Sequence, residues 1–426
     1  MPSAGGFFFC IAVGVPVAFA LLAATILLIA FNSDPILFRA FHQQLFGGLE
    51  NYGLLALPLF MLVGELMSAG GIARRLIALA SVLVGRLHGG LAYVNLLANA
   101  LMASILGSAA AQISLMNKIM TPEMERAGYR KDFAAALSTG GGLLAPILPP
   151  SMIFVVYGVL AQVSIGDMFI AGIGPGLIML VGFALCIWVW GRMNGFPDSD
   201  HAEQFGDEAP KSPGEILRDT APSLLVPIVI VGSITGGIAT PTEAAALACL
   251  AAGAIGLFIY KELTLASLWD SCVRAAIGSS VILLLIAAAQ VFGFVIVYEQ
   301  VPAALSAWIS STASSPIIFL LMINIILLLV GMFLDAIAAL IIVVPLLLPI
   351  ATTQFGIDPF QFGVIVCLNL AAGLVTPPVG AGLFVSAATT GVKAERIALR
   401  VLPFVLVTVL TILLIVVFPQ ITSVFL

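Results

Sequence analysis

The stretch Leu137 to Met152, LSTGGGLLAPILPPSM, sets three glycines and three prolines inside an apolar segment. Glycine accepts almost any backbone angle, and proline removes an N–H and disfavours the α conformation of the residue before it. A helix entering through Leu137 must therefore stop and restart near Ser151. The backbone groups released by the break would each cost several kcal/mol in hydrocarbon, so such a segment survives at membrane depth only where protein buries it or a polar cavity meets it. A second copy lies in the other half of the chain. Asn369 to Gly382 reads NLAAGLVTPPVGAG, and Gly142-Leu-Leu-Ala-Pro146 aligns with Gly373-Leu-Val-Thr-Pro377. Two interrupted segments at matching places in two halves point to the binding site of a transporter.

The membrane premise rests on composition. Of 426 residues, 61% are hydrophobic and 9% charged, against about a quarter charged in soluble domains. Apolar runs long enough to span a bilayer as helices recur, which excludes a barrel of short alternating strands and gives an all-α polytopic membrane protein. The formal charge of −5 says little about partners, because the acid excess sits in one loop, and no basic arm suggests nucleic acid. The five cysteines are isolated, without a CxxC pair, and read as small packing residues. Residues 7–31 lack a basic leader and a clear cleavage motif, so they read as a first membrane helix rather than a removed signal.

Along the chain, that first span contains Gly14-Val-Pro16 and is followed by an amphipathic segment, Pro35 to Glu50, suited to lying in the interface. Spans are expected over Tyr52 to Ala69 and, shorter, over Ile72 to Gly85. Residues 90–124, with Ala103-Ser-Ile-Leu-Gly-Ser-Ala-Ala110 in the middle, read as a re-entrant helical hairpin, and 131–161 as a broken helix. Lys118 to Asp132 reads as a solvated loop. Met168 to Trp190 closes a first repeat over 1–195. Arg192 to Thr220 carries seven acids against three basic residues; within it, 196–220 reads as a cytoplasmic linker. A second repeat over 221–426 restates the order. Gly237-Ile-Ala-Thr-Pro241 answers Gly14-Val-Pro16, Lys261 to Arg274 answers the interfacial arm helix, and Val281 to Val297 answers the second span. A hairpin over 316–351 and a broken helix over 359–391 complete it.

Charge orients the repeats. Arg86, Lys118, Arg126, Arg130 and Lys131 surround the base of the first hairpin, whereas no Lys or Arg occurs between Arg274 and Lys393. Basic residues favour the cytoplasmic side, so the first hairpin should enter from the cytoplasm and the second from outside, with an odd number of crossings in each inverted half. Arg74 and Arg75 would then fall on the outer side, against the rule.

Each broken helix ends in carbonyls carrying the negative end of its dipole and restarts with free N–H groups. Carbonyls with Ser or Thr hydroxyls suit a small cation, and helix N-termini suit a carboxylate. Two related Na⁺ sites are expected. The first would combine Ser104, Gly107 and Ser108 with Ser138, Gly140 and Gly141; the second, Gly331 and Asp335 with Gly373, Thr376 and Pro377. Candidate substrate contacts are Ser108, Pro149, Ser151, Asn369, Thr376 and Gly380. Two readings of these residues stand side by side. Glycine and serine in membrane helices often serve close packing, and Asp335 is either a functional intramembrane carboxylate or a hydrogen-bonded structural one. Asn95 and Asn99, one turn apart, read as helix-packing groups. No HExxH, GxSxG or Walker motif is present, so no enzyme is expected.

Gly237-Ile-Ala-Thr-Pro-Thr-Glu-Ala-Ala-Ala246, the paired Gly-rich breaks and Ala145-Pro-Ile-Leu-Pro-Pro-Ser151 resemble the large membrane (M) subunit of the tripartite ATP-independent periplasmic (TRAP) transporters, with the sialic acid (N-acetylneuraminate) type the nearer likeness. The resemblance covers essentially the whole chain. It implies a sodium-driven importer of a carboxylate in a bacterial inner membrane, working by an elevator-like shift of the hairpin domain. It also implies a small four-helix membrane (Q) subunit and a periplasmic substrate-binding (P) protein. Three alternatives remain: a proton-coupled carrier using Asp335, a channel in which opposed hairpins form a filter, and an intramembrane enzyme. Asp335 has no equally placed acid in the first half, which counts against a two-aspartate protease.

Overall fold

The computed structural model describes residues 9–10, 13–32, 35–197 and 212–426. The beginning of the first span and linker residues 198–211 lie outside them. The described residues form helices and turns without strands. Among the described residues, eight helices are long and apolar enough to cross a membrane.

The chain opens with α1 (Val17–Asn32) and α2 (Pro35–Gly47). A short 3₁₀ turn at Tyr52–Leu55 then leads into α3 (Ala56–Ala69) and α4 (Ile72–Val84). The first hairpin is α5 (Gly90–Leu106) and α6 (Ala109–Arg126), joined through Gly107 and Ser108. α7 (Lys131–Gly141) and α8 (Met152–Ala161) are the two pieces of the first broken helix, and α9 (Ile165–Asn194) follows. After the linker come α10 (Pro213–Thr235), α11 (Pro241–Ala254), α12 (Leu265–Tyr298) and α13 (Val301–Thr312). The second hairpin is α14 (Pro316–Phe333) and α15 (Ala336–Thr353). α16 (Pro359–Leu374) and α17 (Ala381–Thr390) form the second broken helix, and α18 (Ala394–Val417) closes the bundle.

Local chemistry sets these boundaries. α10 and α11 each begin with a capping box and a proline in the first turn: Ser212 with Glu215, and Thr240 with Glu243. The capping side chains satisfy N–H groups that the first turn leaves unpaired. Gly107, at φ +56°, lets α5 end in the left-handed region that the turn into α6 requires.

Several expectations are corrected. From Leu265 on, the interfacial arm expected over Lys261 to Arg274 and the span expected over Val281 to Val297 are one continuous 34-residue helix, α12, ~51 Å long at ~1.5 Å per residue. In the first half, Gly47-Gly48 and Asn51-Tyr-Gly53 stop α2 before α3. In the second half only Gly278 interrupts the corresponding stretch, and one glycine weakens a helix without ending it. The boundary expected at 220/221 falls inside α10, which is itself long and apolar enough to be a span. α6 runs through Lys118 as far as Arg126, so the loop expected over Lys118 to Asp132 is confined to its last residues.

α4 is not a span. Its 13 residues reach only ~20 Å, short of a ~30 Å hydrocarbon layer. The course of α3 locates both its ends. A Cβ on Gly53 would meet Val159 and Ile165, at the turn from α8 to α9, while one on Gly64 would lie 3.2 Å from Ile105 O near the hairpin tip. α3 therefore runs from the α8–α9 turn past the tip towards the hairpin's base. α4 begins there and ends there, at Gly85, in contact with Gly90. Arg75 bonds Glu262 at 2.7 Å, lies 3.4 Å from Asp219 and stacks 3.6 Å over the Tyr260 ring, and Arg74 reaches Glu262 at 3.1 Å. Arg74 and Arg75 thus join the other basic residues at the base of the first hairpin instead of the opposite end.

Candidate functional site

Each hairpin tip is hydrogen-bonded to a helix break. Met152 N–H donates to Gly107 O at 3.3 Å, and Gly380 N–H donates to Met332 O at 3.2 Å. The second pieces of the broken helices then cross over, α8 packing on α15 of the second hairpin and α17 on α6 of the first. The Thr139 and Ser386 hydroxyls, 2.9 Å apart and fully buried, tie the halves together. Tyr157 donates to Pro359 O, another link between halves.

The Pro-Pro pairs Pro149-Pro150 and Pro377-Pro378 both contain a cis peptide. Counted from the first residues of α7 and α16, Lys131 and Pro359, Pro149 and Pro377 each lie eighteen residues on. The matching proline for Pro377 is therefore Pro149, three residues beyond the expected Pro146. Where α16 stays helical to Leu374, α7 ends at Gly141 and a 3₁₀ turn at Gly142–Leu144 with the turn after it leads to Pro149.

The first cluster divides into two groups. At the tip, Gly107 has no room for a side chain: a Cβ would lie 2.9 Å from Pro150 O and 3.1 Å from Met152 N. Ser108, the half-buried N-cap of α6, has no hydrogen-bond partner for its hydroxyl among the described residues. Across from them, Ser151 is buried, donates to Pro146 O at 2.7 Å and accepts from Phe154 N–H, capping α8. Pro149 is half-buried beside it. Deeper in the hairpin, Ser138 accepts from Asn95 Nδ2 at 2.9 Å, and Gly141 is pressed against Asn99, whose Cγ would lie 2.5 Å from an added Cβ. Gly140 faces Phe404 instead. Ser104 donates to its own helix at Leu101 O.

Sequence reasoning named Asn95 and Asn99 as packing groups and missed the other two amides of this deeper group, Gln112 and Asn117. Asn99 Nδ2 donates to Asn95 Oδ1 at 2.8 Å, and Gln112 Nε2 donates to Asn99 Oδ1 at 3.0 Å and reaches Gly141 O at 3.4 Å. Gln112 Oε1 is left buried without a partner, although a buried acceptor ordinarily finds one. Below, Asn117 Nδ2 reaches Thr139 Oγ1 at 3.3 Å and its Oδ1 accepts from Thr121. The available signal was Asn95, Asn99, Gln112, Asn117 and Thr121 recurring in two apolar helical arms that face one another.

The second cluster is built differently. Gly331 and Gly373 are a backbone contact between α14 and α16: a Cβ on Gly373 would lie 2.5 Å from Gly331 C. Asp335 does not reach Asn369 or Gly373. It is exposed and caps α15, accepting from Ile337 N–H at 3.1 Å. Thr376 donates to Ala372 O at 2.6 Å, Pro377 is exposed, and buried Gly380 stands at φ +49° against Thr376 O. Asn369 is buried and donates to Asn324, a partner the sequence reading missed. Asn324 Nδ2 is itself without a partner.

The comparisons with known proteins bear on this arrangement. Residues 4–421 match the sequence model of a family described as "Tripartite ATP-independent periplasmic transporter, DctM component". The chain belongs to this family. It is 36% identical over 413 residues to the sialic acid TRAP transporter large permease protein SiaM of Vibrio cholerae, covering 96% of this chain and 94% of that protein. It is 38% identical over 402 residues to the isethionate TRAP transporter permease protein DctMQ of Oleidesulfovibrio alaskensis, of which it spans only 62%. The C4-dicarboxylate large permease DctM of Pseudomonas aeruginosa is 33% identical over 408 residues, with 94% of this chain and 92% of that one covered. Among solved structures, the Alcanivorax borkumensis YdaH transporter has the same fold, with a TM-score of 0.68 at 14% identity and 97% of both chains covered. The chain is a TRAP large permease subunit, a multi-pass membrane protein that serves transport rather than enzymatic catalysis.

Proposed function

We propose that this subunit carries out sodium-coupled import of an organic acid across a bacterial inner membrane, the sialic acid type of carboxylate being favoured by the SiaM likeness. The observation that carries the reading is the pair of tip-to-break hydrogen bonds, Met152 to Gly107 and Gly380 to Met332. They bring two sets of helix-end dipoles together where apolar helices surround them. The donor set suits Na⁺. Between the first tip and the deeper amide group it consists of the unpartnered Ser108 hydroxyl, the bare Gln112 Oε1 and the carbonyls of Gly140 and Gly141, all hard oxygens. At the second, the carbonyls around Gly373 and the Thr376 hydroxyl oxygen play that part. Two or more sodium ions would fill these positions and supply the positive charge that holds the substrate carboxylate against Ser151 and Asn369.

The helix order supports a reading of the chain as two inverted repeats. With α4 lying flat, the crossings of the first half are α1, α3, the α7–α8 pair and α9; α10 adds the crossing that turns the second half over. The basic residues favour a cytoplasmic position for the base of the first hairpin. The two hairpins and two broken helices form the unit that moves, elevator-like, against α3, α11 and α12. A small four-helix membrane subunit and a periplasmic substrate-binding protein complete the transporter.

The test is uptake into proteoliposomes containing this chain and both partners, across a panel of carboxylates including N-acetylneuraminate. Accumulation driven by a Na⁺ gradient at fixed pH, and surviving collapse of the proton gradient, is the expected result. Accumulation that needs only a proton gradient, or flux that never concentrates substrate, would replace the reading with a proton-coupled carrier or a channel.

A further inference from the structure

α9 and α18 lie side by side and enclose an apolar groove of about 570 Å³ that none of the transport chemistry uses. Small groups open it. Gly182 lets α18 approach until an added Cβ would sit 2.4 Å from Val407, and farther along, Cys186 faces Pro403, its sulfur 3.7 Å from the proline carbonyl. The outward residues of both helices, Leu177, Val181, Leu185, Leu406 and Leu410 among them, are exposed and apolar, as on a surface facing hydrocarbon. From Trp190 to Ile178 the groove follows thirteen residues of α9, ~18 Å end to end at ~1.5 Å per residue, close to the ~15 Å depth of one leaflet.

Its mouth is polar and basic. Arg400 stands there with Asn194 and Trp190, whose ring stacks on Phe133 at 3.7 Å. The one partner of Arg400 among the described residues is Asp132, 3.6 Å away. That carboxylate is already occupied, taking bonds from Arg130 at 3.1 and 2.8 Å and from Phe133 N–H at 2.9 Å. Arg400 therefore has most of its fork of N–H donors free, and that fork matches the oxygens of a phosphate.

We infer that the α9–α18 groove is a binding site for an anionic phospholipid, with one acyl chain lying along Gly182 and Cys186 and the headgroup phosphate held by Arg400. The charge decides the occupant. Arg130 and Arg400 face the single acid Asp132, and Lys131 is paired separately with Glu125 at 3.3 Å, leaving a positive excess where the groove meets the interface. Trp190 supplies the amphipathic ring favoured at headgroup depth. The inference does not depend on sodium coupling or on the substrate.

Native mass spectrometry of the full chain in detergent, titrated with phosphatidylglycerol or phosphatidylcholine, tests it. One phosphatidylglycerol should be retained in preference to phosphatidylcholine, and Arg400→Gln should weaken its binding about fivefold, the factor corresponding to ~1 kcal/mol for a basic side chain near an anionic headgroup. Arg400→Lys should restore most of the loss. Leu410→Trp, a substitution at an exposed groove residue, should exclude the acyl chain and lower binding without touching the basic mouth. Chain-brominated phosphatidylglycerol should quench Trp190 in a protein whose other tryptophans are replaced by Phe, and quench it less after Arg400→Gln. Equal retention of the two lipids, or unchanged phosphatidylglycerol binding in both Arg400→Gln and Leu410→Trp, would overturn the inference.

Discussion

In the first hairpin the arms are joined by amides: Asn95, Asn99 and Gln112 bond one another and reach Ser138 and Gly141 on the broken helix. In the second, α14 meets α16 through bare backbone at Gly331 and Gly373, with Asn324 and Asn369 the polar pair between them and Asp335 turned outward as a cap. Both tips nevertheless make the same kind of contact, one backbone hydrogen bond to the restarting piece of a broken helix. What the two halves share is the backbone arrangement, and each half supports it with different side chains. A function that relies on helix ends tolerates that divergence, because peptide dipoles do not depend on side-chain identity.

Mutations that separate the two kinds of support can break this comparison. The largest expected effect is on the second hairpin. Gly373→Ala would drive a Cβ into Gly331 backbone, which cannot rotate away, and should destabilise the chain by ~1–3 kcal/mol or more, seen as a lower melting temperature in detergent. Gly140→Ala meets the Phe404 side chain instead and should cost less. Next, Asn99→Leu should cost ~1–3 kcal/mol by leaving Gln112 and Asn95 without their partner and should weaken sodium dependence of uptake. The corresponding change at Asn324 should lower stability with a smaller effect on the first site.

Two gentler changes sharpen the symmetry claim. Ser108→Ala and Thr376→Ala should each raise the half-saturating Na⁺ concentration about fivefold, the factor matching a ~1 kcal/mol ligand loss, with melting temperatures unchanged. Sodium dependence unaltered in both variants would show the ion positions to be misplaced. The smallest effect belongs to Asp335→Asn. Asn caps a helix as well as Asp, so stability should move by only ~0.5 kcal/mol or less, and uptake should keep its sodium dependence. A complete loss of uptake with the fold intact would restore Asp335 to the mechanism.

Much of this architecture was legible in the residues. The Gly-Ser tip of the first hairpin, the Gly-Pro breaks and the charge at the first hairpin's base are each short-range signals with one physical consequence, and they locate both hairpins and both broken helices. Long-range context decided the rest. Nothing local between Arg274 and Val281 tells whether the one glycine there, Gly278, ends a helix; packing keeps α12 continuous. Ile72 to Gly85 is apolar on one side in the manner of a short span, and only the path of α3 shows that both its ends lie at one level. Asp335 was conspicuous because it is the single acid in a long apolar stretch, yet the residue after Leu334 begins a helix, and a carboxylate there meets the free N–H groups of the first turn. The asparagines were visible as polar residues in apolar helices, but which amide meets which depends on how α5, α6 and α7 face one another.

The central claim is that the paired helix breaks and hairpin tips bind sodium. Hydrogen–deuterium exchange of the purified chain in Na⁺, with K⁺ as the control, tests it most directly. Protection should rise in Na⁺ at residues 104–112 and 138–152 and again at 331–337 and 373–382, and Ser108→Ala should lessen it in the first pair of segments alone. Exchange identical in the two salts at all four segments would contradict the claim.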